Sequence, residues 1–212
     1  MVGRARHRTY VYVDGFNLYY GVLKGSAHRW LNPVAYFDAV LQHDDVVMVR
    51  YFTAMARGAS VARQRTYLRA LQAQERLQVI LGKYKTKKVQ CGVQNCRHSG
   101  GRFFEAPEEK RTDVNIAVWM LRDAFSGVCD RQVLVTGDSD LVPALEAVRA
   151  VCPGVLTRVY VPTPSSDVRA ATELRSRAHD SRNLPLAELK KAHLPQVVQL
   201  EDGTKAEKPA GW

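Results

Sequence analysis

Apolar and polar residues along this chain follow two alternating periods. Short runs rich in β-branched and aromatic residues are typical of strands, and longer segments with apolar positions three or four residues apart are typical of helices. The first pattern predicts strands at residues 9–13, 46–52, 78–89, 132–135 and 157–161. The second predicts helices beginning near Pro33, Ser60, Thr112 and Leu141, with an Arg-rich helical stretch ending near His179. Because strands joined through helices pair in parallel, we expect a three-layer α/β/α fold with a mainly parallel central sheet.

This alternation defines one domain and a shorter extension. We assign residues 1–185 to the α/β domain and residues 186–212 to a C-terminal extension. The extension is polar from Glu201 onward and contains Gly and Pro, which predicts a mobile tail. No stretch approaches the roughly 18 consecutive apolar residues of a spanning helix, and the basic start lacks a signal-peptide core. We therefore expect a cytoplasmic protein that makes no membrane contact.

The charge balance favours a polyanionic partner. Lysine and arginine total 31 against 21 acidic residues, giving a formal net charge of +10 and a pI near 9.6. Neutralising phosphates with basic side chains releases counterions, so an excess of this size is common in nucleic-acid-binding proteins. A soluble basic protein with no such partner is the alternative that charge alone leaves open.

Acidic residues stand where two predicted strands end. Asp14 follows the first strand directly, while Asp138 and Asp140 follow the strand at 132–135. Asp113 lies in the first turn of a predicted helix. Because ligands of open parallel sheets bind beyond the carboxyl ends of the strands, we expect these side chains to meet at one edge. Taken singly, each has a structural explanation in a turn, a helix cap or the helix dipole.

Carboxylates that meet in one place repel one another unless a cation lies among them. Mg²⁺ and Mn²⁺ prefer hard oxygen ligands, and Mg²⁺ usually retains several waters, so that a few carboxylates suffice to hold it. The sequence therefore predicts a Mg²⁺ or Mn²⁺ site whose ligands are Asp14, Asp113, Asp138 and Asp140.

Three segments carry a family resemblance. They read Tyr-Val-Asp-Gly-Phe-Asn-Leu-Tyr at 12–19, Glu-Lys-Arg-Thr-Asp-Val-Asn-Ile-Ala at 109–117 and Val-Thr-Gly-Asp-Ser-Asp-Leu at 135–141. In this order they resemble the motifs of NYN domains of the LabA-like group, which belong to the PIN-like, or flap-endonuclease-like, nucleases. The resemblance covers roughly residues 9–180.

The resemblance implies both a topology and a chemistry. It implies a PIN-like (Rossmann-like) sheet and a metal-dependent ribonuclease that hydrolyses phosphodiester bonds in RNA. Catalytic roles carry over onto Asp14, Asp113, Asp138, Asp140 and Asn17. The sequence departs from the family pattern at 111–112, where Arg-Thr stands and many relatives have glycine and a small apolar residue.

Two other functions compete with a nuclease. A noncatalytic RNA-binding or adaptor domain would keep the PIN-like fold but is expected to lose carboxylates, and none is missing here. A haloacid-dehalogenase-like phosphatase is suggested by Gly-Asp-Ser-Asp at 137–140, which superficially resembles that family's metal motif. Such enzymes need a second acid two residues after the nucleophilic Asp, whereas Asp14 is followed by Gly15 and Phe16.

A basic segment leads up to Asp113. Aromatic residues lie within it at Tyr84, Phe103 and Phe104, and phosphate contact combined with base stacking is a common way to bind single strands. A solvated strand face is the alternative. The residues predicted to bind nucleic acid are Lys83, Lys85, Lys87, Lys88, Lys110 and Arg111.

Two cysteines and a histidine stand close together in the same region. Cys91, Cys96 and His98 offer soft ligands, but a structural zinc site normally has a fourth ligand and no second Cys/His pair follows nearby. A zinc site and a pair of reduced thiols both remain open from the sequence.

Overall fold

The computed structural model describes residues 6–55, 58–93, 103–164 and 171–212. The helices are α1 Gly15–Leu18, α2 Pro33–Val40, α3 Val61–Gln72, α4 Thr112–Phe125, α5 Val142–Val151 and α6 Thr172–Arg177. The strands are β1 His7–Asp14, β2 Asp44–Thr53, β3 Leu77–Leu81, β4 Lys83–Gln90, β5 Phe103–Lys110, β6 Arg131–Val135, β7 Leu156–Val161, β8 Asp180–Asn183, β9 Val197–Gln199 and β10 Lys205–Glu207. A π-helical turn, Tyr19–Leu23, follows α1, and 3₁₀ turns lie at Gly58–Ser60, Ser139–Leu141 and Leu186–Lys191.

A parallel sheet forms the centre of the molecule. Within the described ranges it has six strands in the order β3-β2-β1-β6-β7-β8, and every neighbouring pair is parallel. The chain builds outward from β1 to β3 and then returns to place β6 on the other side of β1. The strand order therefore reverses between β1 and β6, which is where open α/β sheets bind ligands. The predicted three-layer α/β fold is confirmed.

Alternating side chains divide the core between the two faces of the sheet. Val11 and Val13 of β1 point into the layer that contains α2 and α3, whereas Tyr12 points into the layer that contains α4 and α5. This alternation follows from the two-residue period of a strand. Both layers are apolar, so helices cover the sheet on each side.

A buried ion pair attaches α4 to the sheet. Arg50 of β2 binds Asp123 of α4 through Nε to Oδ2 at 2.7 Å and Nη2 to Oδ1 at 2.9 Å. The Tyr12 hydroxyl donates to the same carboxylate at 2.8 Å, and the Arg50 guanidinium lies 3.8 Å from the centre of the Trp119 ring. The network thus joins the sheet to α4, which carries Asp113 in its first turn.

The predicted strand at 78–89 is in fact two strands separated by Gly82. A Cβ at Gly82 would lie 2.9 Å or less from side-chain and backbone oxygens of residues 109–112, so only glycine permits this close approach. After it, β4 leaves the sheet and pairs with β5 in an antiparallel hairpin. Residues 103–110, which were not among the predicted strands, form β5, and Lys and Glu side chains face one another across the hairpin.

The C-terminal extension lies against the α3 side of the domain. Strands β9 and β10 form a small antiparallel sheet in which Val198 and Ala206 are buried. The Trp212 ring centre is 5.7 Å from that of Tyr67 and 6.3 Å from that of Trp30. The segment expected to form a mobile tail thus contacts the core at its far end. Within the described residues, no helix is long and apolar enough to cross a membrane.

Candidate metal centre

Asp14 ends β1 and begins α1. Its extended backbone (φ −71°, ψ 103°) makes it the N-cap, and its Oδ1 accepts hydrogen bonds from the backbone N–H groups of Phe16 and Asn17, both at 3.1 Å. This is the role for which aspartate is favoured at helix starts. Its other oxygen accepts from the Asn17 amide at 2.6 Å and from the Thr136 hydroxyl at 3.0 Å. The Asp14 carboxylate is therefore buried and held rigidly.

Two further hydrogen bonds of Asn17 and Thr136 join the ends of β1 and β6. Asn17 Oδ1 accepts from the Gly137 N–H at 3.1 Å, and Thr136 Oγ1 accepts from the Asp138 N–H at 3.1 Å. Asn17 and Thr136 thus each connect Asp14 to the loop after β6. This connection fixes the loop that carries Asp138 and Asp140 relative to β1.

Three of the predicted acidic residues meet directly. Among the residues that the structure describes, one carboxylate oxygen each from Asp113, Asp138 and Asp140 lies within 4.8 Å of the other two. Asp138 caps the 3₁₀ turn Ser139–Leu141 and accepts from the Asp140 N–H at 3.0 Å. Asp113 reaches the group from the first turn of α4. We call these three residues the acidic cluster.

Asp14 lies beside the acidic cluster rather than within it. Both of its oxygens accept hydrogen bonds from protein groups, and it is absent from the set of described residues whose oxygens come within 4.8 Å of one another. Its charge nevertheless acts on Asp113, whose pKa it helps to raise. The ligand role predicted for Asp14 thus remains a prediction, and its observed contacts are those of a residue that orders the site.

The electrostatics of the cluster favour a bound cation. Burial and the neighbouring carboxylates of Asp138 and Asp14 raise the pKa of Asp113 to about 6, from an ordinary value of 3.8. Burial also raises the pKa of Asp14, against the opposing effect of its hydrogen bonds. Carboxylates that are this close resist full ionisation unless a positive charge compensates them. The all-oxygen donor set matches Mg²⁺ or Mn²⁺.

The backbone is also unusual at residues 111–112, where the sequence departs from the family pattern. Arg111 has φ +82°, in the left-handed region where glycine is favoured. Thr112 donates its N–H to Glu109 Oε1 at 3.2 Å, and its hydroxyl also donates to that oxygen. The first turn of α4 is therefore shaped by Glu109 and Thr112, neither of which was predicted as a site residue. Thr136 was missed as well, because its contact with Asp14 depends on β6 lying beside β1.

The residues predicted to bind nucleic acid lie on the β4–β5 hairpin and at its junction with α4. Lys83, Lys85, Lys87, Lys88, Lys110 and Arg111 are all exposed. Acidic residues on β5 partly neutralise them, since Glu108 lies 3.0 Å from Lys110 Nζ and 3.7 Å from Lys87 Nζ. The hairpin leads directly into the acidic cluster, because a single residue separates the end of β5 from the start of α4. The role of these basic residues in binding remains a prediction.

The structure describes one of the three residues of the possible zinc site. Cys91 is a free, partly exposed cysteine. Cys96 and His98 lie outside the described residues. The alternatives that the sequence left open for this group stay open.

Comparison with known proteins identifies the family. The family model of the NYN domain matches residues 8–182. This chain belongs to the NYN domain family. NYN domains are PIN-like nucleases, so the resemblance inferred from three short motifs is confirmed at that level. The narrower LabA-like assignment remains a prediction.

Two further proteins are similar to this NYN domain. 6-Hydroxy-3-succinoylpyridine 3-monooxygenase HspA from Pseudomonas putida is 32% identical over 237 residues, which cover 97% of this chain and 75% of the relative. A protein of unknown function from Vibrio parahaemolyticus has a crystal structure that matches with a TM-score of 0.55. That match has 18% identity and covers 88% of this chain and 98% of the other, so it concerns the fold alone.

Proposed function

We propose that this NYN domain is a metal-dependent ribonuclease that hydrolyses phosphodiester bonds in RNA. The observation that carries the proposal is the acidic cluster, in which oxygens of Asp113, Asp138 and Asp140 lie within 4.8 Å of one another. The cluster lies at the reversal point of a parallel sheet, where this type of fold binds its ligands. The net charge of +10 favours a polyanionic substrate.

The proposed cofactor is Mg²⁺ or Mn²⁺, held by Asp113, Asp138 and Asp140, with Asp14 as the fourth predicted ligand. A cation at this place would neutralise charge on the phosphate and make a water easier to deprotonate. Asp14 and Asn17 keep the loops after β1 and β6 in register, as their hydrogen bonds to Thr136 and Gly137 indicate. Ser139 is exposed beside the acids and can donate a hydrogen bond to substrate.

The reaction balances without a further cofactor. Water attacks the phosphorus, the bond from phosphorus to the leaving sugar oxygen breaks, and that oxygen takes up a proton. The protein contributes position and electrostatics rather than a covalent intermediate. All the carboxylates that a catalytic member needs are present, which favours an enzyme over a noncatalytic RNA-binding domain.

A second candidate function comes from the named relative. HspA is a monooxygenase by name and acts on a substituted pyridine, and it aligns with nearly the whole of this chain. A cavity next to Asp14, lined largely by aromatic side chains, has a volume of about 210 Å³, a size suited to a single ring. Oxygenation of a small heteroaromatic acid is therefore the activity to test beside RNA cleavage.

Cleavage assays with Asp138→Asn test the main proposal. Labelled single-stranded and structured RNA and DNA are incubated with the protein in Mn²⁺, Mg²⁺ or EDTA. We expect RNA cleavage with either metal, none in EDTA, and a loss of at least about 100-fold in Asp138→Asn, as expected when a group that stabilises transition-state charge is removed. Asp45→Asn, which changes an exposed acid at the opposite edge of the sheet, is the control and should cleave normally.

Thermal melts connect this activity to the metal. The wild type should gain stability when Mn²⁺ is added, and Asp138→Asn should gain less, because a ligand of the folded state has been removed. Equal gains in both proteins would place the metal elsewhere and contradict the proposed centre.

A further inference from the structure

A cavity with seven aromatic residues in its lining opens beside the turn that follows Asp14. Its volume is about 210 Å³, and the rings that line it include Phe16, Tyr20, Tyr51, Tyr67, Tyr84 and Trp212. Gly15 and Phe16 also line it, and they follow Asp14 directly in the chain. Tyr84 comes from the β4–β5 hairpin, so the element that carries the predicted basic surface also contributes to the cavity wall. We call it the aromatic cavity.

The size of the aromatic cavity suits one planar ring. An apolar cavity of about 150 Å³ is known to hold a benzene molecule, while sites for drug-sized ligands are usually about 300 Å³ or more. The Phe16 and Tyr20 rings lie nearly parallel, at 15°, with centres 6.5 Å apart. Tyr84 meets Phe16 edge-on at 6.0 Å. These walls present ring faces and edges to an occupant, as base-stacking surfaces do.

A tyrosine hydroxyl in the cavity wall points to a polar occupant. Tyr51 is 4% exposed and lines the cavity, yet no described residue accepts or donates a hydrogen bond at its hydroxyl. The neighbouring Tyr67 differs, because its hydroxyl donates to the Leu31 carbonyl at 3.0 Å. Among the described residues, the side-chain atoms that are both fully buried and unpaired are Asp44 Oδ2 and Gln132 Oε1, so the Tyr51 hydroxyl is accessible and can donate to an occupant of the cavity.

The close packing of the Tyr51 ring against the turn after Asp14 requires glycine at position 15. A Cβ there would lie 2.7 Å from both the Phe52 carbonyl oxygen and the Tyr51 ring. The absence of a side chain lets the Tyr51 ring pack against the backbone that follows Asp14. The cavity wall and Asp14 therefore belong to one continuous turn.

Two cations line the same cavity. Lys24 Nζ lies 5.0 Å from the centre of the Tyr20 ring, and the Arg29 guanidinium lies 5.8 Å from that of Trp212. Arg29 also donates from Nε to the Ser26 carbonyl at 3.1 Å and from Nη2 to the Gly211 carbonyl. A nucleotide carries a phosphate next to its base, which cations at this place can neutralise. The combination of ring faces, a hydrogen-bond donor and nearby cations favours a nucleotide over a plain aromatic compound.

We propose that the aromatic cavity binds one unpaired nucleobase of a single-stranded RNA whose neighbouring phosphodiester lies at the acidic cluster. The Tyr51 hydroxyl donates to an acceptor on the edge of the base, and Lys24 and Arg29 contact the backbone. Single-stranded RNA is commonly recognised through splayed bases that stack on aromatic side chains. The proposal rests on the ribonuclease function and adds a substrate preference: an unpaired nucleotide at a fixed distance from the scissile bond.

Binding of adenosine and uridine monophosphates to the full chain in EDTA tests the cavity apart from cleavage. Isothermal titration should detect at least one of them, and Tyr51→Phe should weaken its binding by roughly three- to tenfold, the effect of one hydrogen bond. Tyr160→Phe makes the same chemical change at a buried tyrosine of β7 and should leave binding unchanged. Equal binding by wild type and Tyr51→Phe would overturn the proposal.

A set of RNAs with one abasic nucleotide, moved stepwise along the strand, tests the link to cleavage. Each should lose cleavage at the one bond that lies a fixed number of nucleotides from the abasic site. Nucleotide binding sensitive to Tyr51→Phe, without any cleavage, would support the cavity and contradict the ribonuclease. Cleavage that does not change with the position of the abasic nucleotide would contradict base binding in the aromatic cavity, while the proposed ribonuclease function would still be supported. Binding of a hydroxypyridine carboxylic acid, but of neither nucleotide, would also overturn the proposal and favour the oxygenase.

Discussion

Asp113 shows how a single carboxyl responds to its position in the acidic cluster. Burial and nearby acids raise its pKa to about 6. Below about pH 4 the carboxyl is protonated in both the folded and the unfolded chain, so it has no effect on stability. Between about pH 4 and pH 6 the unfolded chain has released this proton while the folded chain retains it, so stability falls across that range and changes no further above it. Ionisation of Asp113 therefore destabilises the metal-free protein at neutral pH.

Replacing Asp113 by Asn should consequently stabilise the metal-free protein at pH 7.5 and change it little at pH 4. Urea unfolding at the two pH values measures this difference. Glu173→Gln provides the matched control, since Glu173 is also a first-turn acid, on α6, but is exposed. Removing it should cost a small amount of stability through the helix dipole. A loss of stability in Asp113→Asn at pH 7.5 would contradict the electrostatic account of the cluster.

The acidic residues could be predicted because each stands beside a strand end or helix start that the sequence pattern reveals. Asp138 and Asp140 follow an apolar run, and parallel pairing brings such positions to one edge. The sequence could not show that both carboxylate oxygens of Asp14 accept hydrogen bonds from the protein. One of the donors, Thr136, comes close to Asp14 only because β6 lies beside β1 in the fold. The aromatic cavity escaped prediction for a similar reason: Tyr51, Tyr84 and Trp212 are far apart in the sequence.

The β4–β5 hairpin is the element whose role the sequence least constrains. Its lysines suggested a phosphate-binding strand, but the hairpin places glutamates across from them, with Lys85 opposite Glu108 and Lys88 opposite Glu105. A local period could not reveal this pairing, because it depends on which strand becomes the partner. The hairpin therefore combines a basic strand with an acidic one.

Replacing Lys85, Lys87 and Lys88 by Ala decides whether the hairpin contacts RNA. If it does, binding should weaken for all sequences alike, and the slope of log affinity against log salt should fall by up to about 0.7 for each phosphate that is no longer neutralised. Changing Glu105 and Glu108 to Gln should strengthen binding, since these acids lie across from the lysines. The control replaces Lys190, Lys191 and Lys205, which are equally exposed but lie outside the hairpin. An identical slope in both triple variants would leave the hairpin lysines as a solvated face.

At the scale of the whole molecule, the alternation of strands and helices was enough to predict the layers and the edge at which the acidic cluster lies. The packing of the C-terminal extension was not predictable in this way. Ala206 and Trp212 are isolated apolar residues in a polar segment, and the short run that contains Val198 gives no periodic signal. They nevertheless contact the core, and Trp212 forms part of the aromatic cavity wall.

The buried network around Arg50 and Asp123 holds the two halves of the site together, because it joins β1, β2 and β6 to α4. Tyr12 donates to Asp123, and Gln132 of β6 donates to the Tyr12 hydroxyl at 3.2 Å and to the Met120 carbonyl at 2.7 Å. Arg50 and Asp123 side chains are 8% and 4% exposed. A charge this deeply buried has no alternative solvation if its partner is removed.

Asp123→Asn should therefore lower the free energy of unfolding by about 3–5 kcal/mol, as measured by urea denaturation. The double variant Arg50→Met with Asp123→Leu should recover much of that loss, because no unpaired charge then remains in the core. Asp130→Asn, which breaks the exposed pair with Arg8, should have a much smaller effect. In the double variant, α4 has lost its ion pair to the sheet and is held by apolar packing. If this variant folds but binds Mn²⁺ more weakly than the wild type, the network also sets the position of Asp113. Equal Mn²⁺ affinity would limit the role of the network to stability.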